Sequence, residues 1–101
     1  MSLPKLVRDK IPKIISESGK DCLTYTASSN ELNYFLIEKM KEELAEFKET
    51  PCLDEAADMY EVFLVMLQHW KMDLNLVKAT AETKRQIRGS FNEGIILEKV
   101  F

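Results

Sequence analysis

Two short runs in this chain set acidic side chains at a spacing that could do chemistry: Glu43-Leu44-Ala45-Glu46 and Glu55-Ala56-Ala57-Asp58. On a helix, residues three apart share a face, so each run presents two carboxylates together. One such pair carries little weight, because acids at this spacing are common on solvated faces. Two pairs close in sequence, both turned toward apolar faces, are a different matter. Burying an unpaired carboxylate costs several kcal/mol, roughly, and neighbouring ones add mutual repulsion. Three things can neutralise such a group: raised pKa values, Lys or Arg partners, or a divalent cation. An all-oxygen set suits a hard cation, Mg²⁺ or Mn²⁺ rather than zinc.

The elements that must position these acids are legible from caps and periodicity. Ile11, Ile14 and Ile15 recur at helical spacing between Lys10 and Ser18, and Gly19 supplies a stop. A connector over 19–28 includes Leu23-Thr24-Tyr25-Thr26, which is briefly extended in character. Ser28 followed by Glu31 reads as a capping box opening a helix to about Glu49. Thr50 is expected to cap the next helix, with Pro51 at its first position and an end near Lys71. Asp73 caps a further helix that stops at Gly89. The tail, ending GIILEKVF, reads as an extended segment lying on the helices or pairing with the connector.

Helical geometry then gives directions. Leu32, Leu36, Met40 and Phe47 fall within an arc of roughly 80°, Glu43 lies inside it, and Glu46 lies roughly 40° beyond its edge. Glu38 and Lys41 point into water. The following helix is apolar almost all round, with a narrow polar strip of Glu61, Gln68 and Lys71. Glu55 and Asp58 fall outside that strip, between Val62, Val65 and Met66. A helix of this kind is central in a bundle or buried against a second subunit. Tyr60, Phe63 and Trp70 read as core, His69 as structural or at a subunit contact, and Tyr25 and Tyr34 as freer aromatics able to stack on a base.

A basic counterpart exists. Lys84 and Arg88 continue the stripe of Leu74, Val77 and Ala81, and Arg8 and Lys10 sit among Leu6, Val7 and Ile11. Each alone fits a helix-dipole or ion-pair role. Beside a carboxylate-held cation they suit phosphate oxygens, and the combination favours a polyphosphate ligand.

Bulk properties narrow the classes further. The 101 residues make one domain, 1–101, with net charge −3 and 31% charged residues of both signs. Such a balance does not mark the chain for nucleic acid or an anionic membrane. Cys22 and Cys52 are far apart and the single His69 completes no zinc framework, so the thiols read as reduced and structural, in a cytoplasmic protein. No stretch of the N-terminal region is apolar enough for a signal peptide or a membrane span.

In order and spacing these residues resemble the all-α nucleoside triphosphate pyrophosphohydrolases, the superfamily of MazG and phosphoribosyl-ATP pyrophosphohydrolase. The likeness is closest to small single-domain members that begin with KLVRDKIP, here Lys5 to Pro12. Their ExxE and ExxD metal motif corresponds to Glu43, Glu46, Glu55 and Asp58; the preceding Glu42 and a tail like RGSFNEGIILEKV are also typical. The short interval between Glu46 and Glu55 leaves the loop few residues for base recognition. The resemblance implies an all-α, MazG-like helical bundle assembled as a homodimer or a dimer of dimers. It implies Mg²⁺ held by the four carboxylates, and hydrolysis of a nucleoside triphosphate between the α and β phosphates to give a monophosphate and pyrophosphate, as in removal of non-standard or excess nucleotides. In that mechanism Glu42 or Glu46 would orient water as base, while Lys84, Arg88, Arg8 and Lys10 neutralise the leaving pyrophosphate. Phosphoribosyl-ATP hydrolysis is an alternative in the same chemistry. A non-catalytic helical dimerisation or adaptor module, its acids paired with Lys and Arg, is one in a different class.

Overall fold

Residues 3–101 are described by a computed structural model of the chain. Four helices follow one another: α1 (Ile11–Glu17), α2 (Ser29–Glu49), α3 (Leu53–His69) and α4 (Leu74–Arg88). No strand occurs among the described residues, so the fold class is all-α.

The ends of the helices follow from local chemistry. Ser28 Oγ accepts from the Glu31 amide at 3.2 Å while Glu31 Oε1 accepts from the Ser28 amide at 3.0 Å, a reciprocal capping box at the start of α2. Asp73 Oδ1 accepts from the Asn75 amide at 2.7 Å and opens α4, and Gly89, at φ 82°, ends it. Helix α3 ends on a Schellman turn in which the Met72 amide donates to the Leu67 carbonyl at 2.8 Å and the Lys71 amide to Gln68 at 3.2 Å. The turn forces Lys71 to φ 57°, a left-handed conformation that strains any residue with a Cβ.

The start of α3 departs from expectation. Thr50 closes α2, Pro51 lies in the loop, and Cys52 stands at the N-cap without a side-chain hydrogen bond. Asp54 and Glu55 in the first turn supply negative charge to the helix dipole instead.

Helices α2 and α3 form an antiparallel-type hairpin across this tight loop and are the pair that packs closely; α4 does not pack extensively on any other helix. The apolar core is small: Leu36 (1% exposed), Val62 and Leu67. The stripe around Leu36 faces inward as its spacing predicts, with Leu32, Met40 and Phe47 half-buried. The apolar surround of α3 is only partly covered: Phe63 is half-buried, whereas Tyr60 and Trp70, expected in the core, are exposed. Cys22 and Cys52 are free but exposed, so neither has a core role. The tail also differs from expectation. Residues 89–101 neither pair with the connector nor lie on the helices, and every one of them is exposed. The Cα radius of gyration is 17.8 Å, against about 13 Å for a compact chain of this length.

Candidate metal centre

Helices α2 and α3 bring the two acidic pairs together. A carboxylate oxygen from each of Glu43, Glu46, Glu55 and Asp58 lies within 4.8 Å of one from every other. Glu43 is deepest, at 6% exposure; Glu55 and Asp58 are half-buried and Glu46 is exposed. The order follows from the helical directions: Glu43 lies within the arc that packs on α3, and Glu46 beyond its edge.

Two positive groups already reach this cluster. Lys39 Nζ lies 3.2 Å from Glu43 Oε1 and 3.3 Å from Glu42 Oε1, and Arg8 Nη2 lies 2.8 Å from Asp58 Oδ1. Lys5 approaches Glu42 at 3.7 Å. These contacts leave Glu43 Oε2 and Glu55 Oε2 buried without a hydrogen-bond partner. Burial pushes the Glu43 carboxyl above the usual carboxylate range; Lys39 opposes this, and the charges of Glu46 and Asp58 add to it. Burial lowers the Lys39 pKa, but its bonds to Glu43 and Glu42 outweigh that and hold the ammonium above the ordinary lysine value.

A cation fits this donor set. Four carboxylates from two facing helices, two of them with an orphaned oxygen, could hold a hard divalent ion, and among the described residues no His or Cys belongs to the cluster. The cluster opens on a cleft of about 800 Å³, within the range of small-molecule sites. Glu42, Glu43, Glu46 and Asp58 line it together with the segment carrying Arg8 and Lys10.

Not every expected residue gathers here. Lys84 and Arg88 are exposed on α4 and do not line the cleft. Tyr34 lines a smaller neighbouring cavity of about 270 Å³. Tyr25 donates to Glu31 at 3.1 Å, which ties it to the α2 cap. His69 Nε2 lies 2.6 Å from Asn33 Oδ1 and joins α3 to α2, a structural role. Lys39 and Glu61, which also line the cleft, were not among the expected site residues. The signal for Lys39 was available, since it stands one turn before Glu42 and Glu43 on the same face. Glu61 carried no such signal, because its direction belongs to the polar strip.

Neither a protein-family profile, a curated protein nor a solved structure matches the chain.

Proposed function

We propose that this protein is a Mg²⁺-dependent nucleoside triphosphate pyrophosphohydrolase, cleaving between the α and β phosphates to release a monophosphate and pyrophosphate. The observation that carries the reading is the four-carboxylate cluster with orphaned buried oxygens on Glu43 and Glu55. A self-sufficient ion-pair network would leave no such atoms. Glu43, Glu46, Glu55 and Asp58 would hold the cation, with Mn²⁺ an acceptable substitute. When bound, it supplies Lewis acidity toward phosphate oxygens and water.

The chain's own groups then divide the work. Glu46 is the exposed member of the cluster and has no ion pair among the described residues, so it is the better placed to take a proton from water. Glu42, held by Lys39 and Lys5, is the less mobile candidate for that role. Arg8 and Lys10 line the same cleft, where they would meet phosphate oxygens and offset charge on the leaving pyrophosphate. Arg8 would exchange its bond to Asp58 for one to phosphate as it did so.

The adaptor reading draws its support from the Arg8–Asp58 and Lys39–Glu43 pairs, which neutralise part of the cluster without a metal. One experiment separates the two: pyrophosphate release from a panel of ribo- and deoxyribonucleoside triphosphates, with Mg²⁺ or EDTA, beside Glu55→Gln. Release that needs Mg²⁺ and disappears in the variant supports the hydrolase. A folded protein that is indifferent to Mg²⁺ and cleaves nothing on the panel makes the acids structural.

A further inference from the structure

The two oxygens of the Glu43 carboxylate lie in different surroundings. The side chain is 7% exposed; Lys39 Nζ lies 3.2 Å from Oε1, while Oε2 is buried without a hydrogen-bond partner. The same ammonium lies 3.3 Å from Glu42 Oε1. Both contacts are made within α2, at i, i+4 and i, i+3, so the helix itself sets the spacing of the three groups. Lys39 thus has two acids on its own helix and a side chain only 15% exposed. Arg8 at Asp58 is 56% exposed and reaches its acid from a segment fifty residues away. Of the two cations that touch the cluster, Lys39 is the one the fold holds in place.

That division matters because a carboxylate binds a cation through one oxygen or through both. A cation on Oε1 would stand against the ammonium charge, so Oε2 is the oxygen left for it. Calcium takes about six to eight oxygens in a flexible arrangement and uses bidentate carboxylates readily, whereas Mg²⁺ demands a near-ideal octahedron and keeps several waters. Restricting Glu43 to one oxygen therefore withdraws a ligand atom from the larger ion and costs the smaller one nothing. The ammonium also changes the charge of the site, but charge acts alike on two divalent ions. The ratio of their affinities isolates the geometry.

We propose that Lys39 is a positioning residue that sets the cation specificity of the cluster: held on Glu43 Oε1, it leaves that carboxylate a single oxygen for metal and so favours Mg²⁺ or Mn²⁺ over Ca²⁺. Glu42, gripped by the same ammonium, keeps Lys39 on α2 at the register this requires. This role rests on the cation-site reading above and not on the reaction catalysed.

Competition of Mg²⁺ and of Ca²⁺ against Mn²⁺, followed by the electron paramagnetic resonance signal of free Mn²⁺, gives a Kd for each ion on the full chain without reference to activity. Lys39→Met keeps an unbranched apolar stem and loses the donor. In it the ratio of the Ca²⁺ Kd to the Mg²⁺ Kd should fall about tenfold, the lower end of what the outer partners of metal ligands contribute. Equal changes in both Kd values, with the ratio as in wild type, overturn the proposal and leave Lys39 as a counter-charge only. Lys39→Met with Glu42→Gln removes one charge of each sign. It should show the same fall in the ratio, and it decides the matter where repulsion among the acids keeps the single variant from folding. A wild type that binds none of the three ions removes the cation site and this role with it. One that binds them and cleaves no triphosphate ends the hydrolase reading and leaves the role of Lys39 to be decided by the ratio.

Discussion

Replacing Glu43 by Gln should make the metal-free protein more stable and its stability indifferent to metal. Three carboxylates lie within 4.8 Å of Glu43, and one ammonium lies at 3.2 Å. Taking water and a near-surface medium as limits, each repulsion is about 0.9 to 3.5 kcal/mol and the attraction about 1.3 to 5 kcal/mol. Three repulsions against one attraction leave Glu43 unfavourable by about 1 to 5 kcal/mol, and its desolvation has the same sign. The exposed rim of the cluster favours the lower end, so Glu43→Gln should gain about 1 to 2 kcal/mol at pH 7 in EDTA. For a domain of this size each kcal/mol raises Tm by roughly 4–8 °C. The amide keeps the side-chain volume, and Lys39 keeps Glu42. Mg²⁺ at a hundred times its Kd should stabilise the wild type by about 2.7 kcal/mol and the variant far less. Thermal unfolding at one fixed chain concentration, in EDTA and in MgCl₂ or MnCl₂, measures all four states. A variant less stable than wild type in EDTA, beside a wild type that ignores both cations, would refute the reasoning, because the Lys39 pair would then outweigh the repulsion.

The same carboxyl gives a pH signature. Its folded pKa lies above the unfolded value of 4.5, so its stabilising contribution is complete below 4.5 and is lost as pH rises through the folded value. The metal-free wild type should therefore lose stability relative to Glu43→Gln across that window in paired chemical denaturation series; a flat difference would contradict the raised pKa. Loss of groups around a metal already costs about 10–100-fold, so Glu55→Gln should lower Mg²⁺-dependent pyrophosphate release by more than that, and a smaller loss in steady-state assays would take Glu55 out of the ligand set. Ser28→Ala removes half of the α2 capping box and should cost about 1 kcal/mol, measured by urea denaturation. Lys71→Gly should stabilise by a few tenths to about 1 kcal/mol, since glycine accepts the left-handed φ of 57°; destabilisation would mean that the side chain makes a contact worth more than the strain.

Much of this molecule was decided locally, and for that reason was legible in the sequence. Ser28, Asp73, Gly19 and Gly89 end helices through hydrogen bonds and φ values that involve only near neighbours, and the structure places them as their types require. The inward turn of Leu36 and Glu43 follows from a fixed advance per residue, which is why four acids scattered over sixteen positions could be expected to meet. Periodicity gives a direction around a helix axis but not what stands in that direction. The approach of Arg8 to Asp58, fifty residues away, and the exposure of Tyr60 and Trp70 on an apolar helix were settled by which elements pack together. So was the separation of Lys84 and Arg88 from the cleft that the acids line. Their stripe is real, but among the described residues α4 packs extensively on no other helix, and neither Lys84 nor Arg88 lines the cleft; the partner of an amphipathic face is a property of tertiary packing, and no local rule encodes it.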